Sequence, residues 1–136
     1  MKYLLDSNIC IALIRQKPVA LLQQLTSHEP GEVGISAITL AELVHGAEKS
    51  AQSEHNMSAL QQFLLPLELA DFDQQAALAY GKIRVKLEHD GQLIGSMDML
   101  IAAHAIGLGA ILVTNNVREF QRIDGLALED WITEAS

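Results

Sequence analysis

Lys2-Tyr3-Leu4-Leu5-Asp6-Ser7-Asn8-Ile9 contains a strand-to-helix transition within eight residues. Lys2–Leu5 is a short apolar run of the kind that forms a fully buried strand. Ser7 or Asn8 then caps a helix running to roughly Arg15. The same unit returns along the chain. Val33-Gly34-Ile35-Ser36 is a second short strand, after which Ser36 or Thr39 caps a helix to about Lys49. Leu67–Ala70 is a third strand, and Asp73 opens a long amphipathic helix with Ala76, Ala77, Tyr80, Ile83 and Leu87 at helical spacing. Gly95-Ser96 precedes an apolar helix, Met97–Ile106, and Gly107 and Gly109 lead from it into the strand Ala110–Val113. A last strand lies near Leu126–Leu128, before Trp131. Between these units, Pro18 suits the first turn of a helix ending near Ser27, and residues 52–64 form another that stops before Pro66. Strands that alternate with helices form a parallel sheet of about four or five strands covered on both faces, an α/β architecture in three layers. Sites in such sheets form beyond the carboxyl ends of the strands.

The 136 residues suit one domain, 1–136, with no repeat and no linker. A composition 49% hydrophobic and 19% charged supports a real core. The net charge of −8 argues against loose coating of nucleic acid or of an anionic membrane. A metal ion or a basic partner protein remains compatible with it. Cys10 is the one cysteine, so no internal disulfide forms, as expected of a reducing compartment. The N-terminal apolar run is too short for a signal peptide and ends in an acid, and no stretch suits a bilayer crossing. A soluble, cytoplasmic protein is the expectation.

Acids stand where these apolar segments end or turn. Asp6 closes the first strand, Glu42 lies within Ile38-Thr39-Leu40-Ala41-Glu42-Leu43-Val44, and Asp98 opens Met99-Leu100-Ile101-Ala102-Ala103. Thr114-Asn115-Asn116 closes Ala110–Val113, and Glu119 follows. Asp6 and Asp98 are equally well placed to be helix-start acids, with Ser96 the better cap candidate at the second site. Glu42 is too far inside its helix for capping, although an exposed helix face would explain it. Asn116 also suits a turn, and Glu119 alone suits solvent. Taken together, carboxylates beside buried segments need a partner, a proton or a metal. Oxygen ligands of this kind select Mg²⁺ or Mn²⁺, which makes a bound water more acidic beside a phosphorus atom.

Four segments carry a more specific signal: Tyr3-Leu4-Leu5-Asp6-Ser7-Asn8-Ile9, Ile35–Ala47 around Glu42, Gly95–Ala105 around Asp98, and Val113-Thr114-Asn115-Asn116-Val117-Arg118-Glu119-Phe120. In this order and spacing they resemble the signature blocks of PIN-domain ribonucleases, and among these the VapC toxins of bacterial toxin–antitoxin pairs. The resemblance runs over nearly the whole chain. It implies a PIN-like fold, a Mg²⁺-dependent endoribonuclease often acting on tRNA, a homodimer, and a small cognate antitoxin that neutralises the enzyme. It also implies that Asp6 and Asp98 hold Mg²⁺ directly or through water and that Glu42 completes the pocket. The chain departs from the pattern at Asn116, where many members have aspartate; Glu119 is placed to compensate. Ser7 stands where threonine is commoner.

Other features support less. Glu42-Leu43-Val44-His45 is a single Glu-x-x-His string, whereas di-iron bundles need two and further glutamates. His28, His55 and His89 fall in polar surroundings and read as solvated, His104 as a core or interface residue, and Cys10 as small and buried. Arg15, Lys17, Lys82, Arg84, Lys86, Arg118 and Arg122 are candidate phosphate contacts, but Lys82, Arg84 and Lys86 do not share one helix face. Two other functions fit parts of the sequence. An aspartyl phosphotransferase would use Asp6 as nucleophile, but the second acid its motif needs is replaced by Asn8. A non-catalytic PIN-like module would treat Asn116 as the mark of a lost site.

Overall fold

The computed structural model describes residues 1–132. Five parallel strands form one sheet in the order β3-β2-β1-β4-β5, comprising β1 (Tyr3–Leu5), β2 (Val33–Ser36), β3 (Glu68–Ala70), β4 (Ile111–Val113) and β5 (Leu128–Glu129). The strands are only two to four residues long, so the alternation of side chains along β1 determines the layering. Leu4 turns to one face, joining Leu112, Ile101, Ala102 and Phe120. Tyr3 and Leu5 turn to the other, joining Val33, Ile35, Val113, Leu13 and Leu43. Two cores therefore sandwich the sheet, giving the three-layer α/β/α arrangement expected. The first lies under α5 (Gln74–His89) and α6 (Ser96–Leu108), and the second under α1 (Ser7–Ile14), α2 (Val19–Thr26), α3 (Ala37–Lys49) and α4 (Ser53–Leu64).

The strand order reverses at β1, because the chain moves outward to β2 and β3, returns across, and continues to β4 and β5. Such a switch point leaves a crevice beyond the carboxyl ends of the two central strands. Asp6 leaves β1 there and Thr114 leaves β4, with Leu5 and Val113 in register beside them.

Several local expectations are corrected. Asp6, not Ser7 or Asn8, caps α1, its Oδ1 accepting the Ile9 N–H at 2.9 Å. Ser96 is the first residue of α6 and makes no capping bond; Gly95 precedes it. Pro18 stands at the cap position of α2 and not within its first turn. Ser36 is the cap of α3, while Thr39 is buried inside that helix. A four-residue helix, α7 (Val117–Phe120), follows Asn116, too short for its periodicity to be visible. The last strand is shifted to Leu128–Glu129. His28 is not solvated; its ring stacks on Trp131 with centroids 5.2 Å apart and lies 4.5 Å from Tyr3. His104 is wholly buried, as expected of a core residue, with Nδ1 2.7 Å from Ser36 Oγ, and burial holds its imidazole below the usual range. No helix among the described residues is long and apolar enough to cross a membrane.

Candidate active site

Four acids meet at the crevice, each delivered by a different element. Asp6 stands at the turn from β1 to α1 and is 4% exposed. Burial raises its carboxyl above the usual range and the Glu42 charge adds to this, while hydrogen bonds from the Thr114 hydroxyl and the Ile9 and Asn8 amides oppose it. Its cap role and its site role are therefore held together: one oxygen is fixed by the helix start, and the carboxylate remains at the end of the sheet.

Glu42 lies in the second turn of α3, partly buried, and its Oε1 accepts the Ser7 hydroxyl at 2.6 Å. That bond joins α1 to α3 across the crevice and is a role for Ser7 the sequence did not disclose. Asp98 sits in the first turn of α6, where the helix dipole favours an anion. Even so its carboxyl is pushed up to about 6, first by desolvation and then by the charges of Glu119, Glu42 and Asp6. The half-buried Asp98 thus lies within electrostatic range of all three other acids. Asn116 does not hold an empty corner. Its Nδ2 donates to Glu119 Oε2 and its backbone N–H donates to Thr114 Oγ1 at 2.9 Å. Thr114, fully buried, thereby links the β4 end to Asp6.

Among the described residues, no three Asp, Glu, His or Cys side chains are grouped so as to hold a metal ion together. The acids share one field but stay open to one another. An open, oxygen-only donor set with mutual repulsion fits Mg²⁺, which keeps several waters and is held by one or two carboxylates. Asp6 and Asp98 would be the residues to hold such an ion, with the charges of Glu42 and Glu119 nearby.

The basic candidates separate clearly. Arg84 is engaged by Tyr80 and Glu88, and Lys86 by Asp90 and Asp124. Lys82, Lys86 and Arg122 line one small cavity of about 150 Å³, leaving Arg84 on another face. Arg15 alone of the seven lines the cavity that contains Glu42 and Ser7.

The field of the four acids has a consequence for stability. The Asp98 carboxyl is pushed up to about 6 in the folded chain from an ordinary value of 3.8. The stability this proton contributes is fully present below about pH 4 and is lost as pH rises through 6. Solvent screening of a half-exposed group leaves an effect on the order of 1 kcal/mol. Metal-free protein is thus expected to melt at a lower temperature at pH 7.5 than at pH 5. Asp98→Asn should flatten that slope, and millimolar Mg²⁺ should raise the melting temperature of the wild type more than that of the variant. Identical pH–melting curves for the two proteins would contradict the reading.

A PIN-domain family model matches residues 3–126. The chain is 42% identical over 131 residues to the tRNA(fMet)-specific endonuclease VapC of Shigella flexneri, covering 96% of this chain and 98% of that one. A chain of VapBC2 from Rickettsia felis, solved with a DNA fragment from the promoter, superposes with a TM-score of 0.91 at 44% identity, covering 96% and 99%. A chain of DNA-bound VapBC from Salmonella typhimurium gives 0.92 at 43%, covering 96% and 98%.

Proposed function

The chain belongs to the PIN-domain family, in its VapC branch, and from that membership we propose that it is a Mg²⁺-dependent endoribonuclease that cleaves tRNA. The single observation that carries the reading is the coupling of Asp98 to Glu119, Glu42 and Asp6 at the sheet's switch point. A half-buried carboxylate in the field of three others is unfavourable unless a proton or a cation offsets the charge, and a cation would also help a chain of net charge −8 to receive a phosphodiester. Bound Mg²⁺ would supply positive charge against the phosphate and an acidified water. The protein's part is positioning. Ile9 N–H and Thr114 fix Asp6, the Ser7 hydroxyl fixes Glu42, and the Asn116 amide fixes Glu119. The start of α6, which has no side-chain cap, carries Asp98 in its first turn.

The name of the Shigella relative specifies tRNA(fMet), and initiator tRNA is the substrate carried over to this chain. The VapBC structures are complexes, which supports a cognate antitoxin as partner. A homodimer completes the proposal. Pure protein with Mg²⁺ should cut an initiator-tRNA transcript at a defined position, mapped by sequencing the ends, and saturating antitoxin should stop it. Intact tRNA under every divalent metal, at any enzyme concentration, would refute the assignment. Asn116→Ala frees Glu119 from a charge-assisted hydrogen bond and should lower kcat/KM about tenfold; wild-type kinetics in that variant would remove Asn116 from the site.

A further inference from the structure

α3 and α6 deliver Glu42 and Asp98 from opposite layers of the sandwich, so neither core alone fixes one acid against the other. A buried polar contact crosses between the two helices. His104 of α6 is wholly buried, and its Nδ1 lies 2.7 Å from Oγ of Ser36, itself wholly buried. Ser36 ends β2 and caps α3, its Oγ accepting the Ile38 N–H at 3.0 Å. That leaves the hydroxyl one lone pair and its proton, so it meets Nδ1 in either tautomer of the ring. The setting is otherwise apolar. Ile101, Ala102, Ala103 and Ala105 are buried along the same helix, and the Phe72 ring makes a T-shaped contact with the imidazole, centroids 5.3 Å apart. Nε2 has no partner in hydrogen-bond geometry among the described residues, although the Asp71 backbone is near enough to favour the charged ring. Burial outweighs that influence and lowers the ring's affinity for a proton.

A polar ring buried with one nitrogen unpaired costs stability, and an apolar side chain of similar size would pack here without that loss. What the imidazole adds is direction. Ile38 also packs against the α6 core, but apolar contact is non-directional. Glu42 lies six residues beyond Ser36, and Asp98 six before His104. Each acid is therefore about 9 Å of helix from the contact, and a tilt of roughly 6° there carries a carboxylate about 1 Å. Displacement on that scale costs on the order of 10²-fold in rate. We propose that His104 is a positioning residue for the acidic site, holding α6 to the start of α3 through Ser36 and so setting the separation of Asp98 from Glu42. The effect on cleavage rests on the endoribonuclease reading; the effect on Mg²⁺ binding is independent of the substrate.

Leucine and asparagine share one branched shape and differ in whether their δ atoms form hydrogen bonds. His104→Asn keeps a polar atom where Nδ1 stands, and His104→Leu does not. On an initiator-tRNA transcript, well below the melting temperature, His104→Leu should lose about tenfold or more in kcat/KM while melting no lower than the wild type. It should also need more Mg²⁺ for half-maximal rate. Without RNA, millimolar Mg²⁺ should raise its melting temperature less than that of the wild type. His104→Asn should restore both responses. A residue that merely filled the core would give the reverse order, with leucine tolerated and asparagine, a polar group among apolar ones, impaired. Ser36→Gly removes the contact from its other side with little loss of the cap, and carries the test if His104→Leu fails to fold. Combined with His104→Leu it should lose nothing further. Wild-type cleavage and Mg²⁺ response in His104→Leu and Ser36→Gly, or equal losses in the leucine and asparagine variants, would overturn the proposal and leave the nuclease intact. A wild-type protein that cuts no RNA would overturn the nuclease reading alone, with the Mg²⁺ melting shifts still deciding the role of His104. A wild-type protein that also shows no Mg²⁺ shift would remove both.

Discussion

Asp98→Asn is expected to cleave RNA on the order of 10³-fold more slowly than the wild type, while melting at a higher temperature in the absence of divalent metal. The two effects have one cause. Asp98 is half-buried in a field of three other carboxylates, and desolvation first and their charges second push its carboxyl up to about 6. Neutralising it relieves that repulsion and removes a hard-oxygen charge from the place where a cation must sit. A variant that merely misfolded would lose activity and stability together, so the opposite signs identify a functional residue. Asp6→Asn provides the companion measurement. Asparagine keeps the oxygen that accepts the Ile9 N–H and so preserves the cap of α1, whereas alanine would forfeit about 1 kcal/mol of cap along with the charge. Comparing Asp6→Asn with Asp6→Ala therefore separates the helix start from the chemistry. Asp6→Asn should be as inactive as Asp98→Asn yet fold normally. Wild-type cleavage by both asparagine variants would mean that the acids are not the site.

The layered fold was legible because the apolar runs are short, bounded and separated by helical spacing, whereas spacing left Asp6 and Asp98 open between cap and site, and only the resemblance of four blocks implied one pocket for three acids. What stayed hidden was how residues share tasks. Asp6 presented two alternatives, cap or ligand; the structure shows the cap, and the two do not compete, since a carboxylate has lone pairs enough for the Ile9 amide, the Thr114 hydroxyl and a further partner. Ser7 read as a cap because it follows a strand, but its hydroxyl reaches Glu42, thirty-five residues on. Asn116 read as a lost charge, yet its amide restrains Glu119, a contact of i to i+3 made visible only by the short α7. His28 read as solvated from its polar neighbours, while Tyr3 and Trp131 enclose it from opposite ends of the chain. In each case local spacing identified the residue, and a partner from another element set its role.

Gly34→Ala tests how far the sheet itself supports the site. Gly34 pairs with Leu4 on one side and with Glu68 on the other. A Cβ there would collide with the Glu68 carbonyl oxygen and the Met1 methyl group. The backbone oxygen cannot rotate away, so β3 must move off β2, and overpacking of this kind costs about 1–3 kcal/mol. The loss does not stop at the edge. The same β2–β3 register pairs Ser36 with Ala70, and Ser36 both caps α3 through Ile38 N–H and holds His104 in the core. α3 carries Glu42, so slippage of β3 loosens one wall of the acidic site. Gly34→Ala is expected to lower the melting temperature and to lose cleavage activity steeply on warming, with near-normal turnover in the cold. Stability equal to the wild type would show that β3 yields without strain. A cold-stable variant that stayed inactive would place Gly34 in the site's geometry directly, and would mean that the glycine serves Glu42 rather than the edge strand.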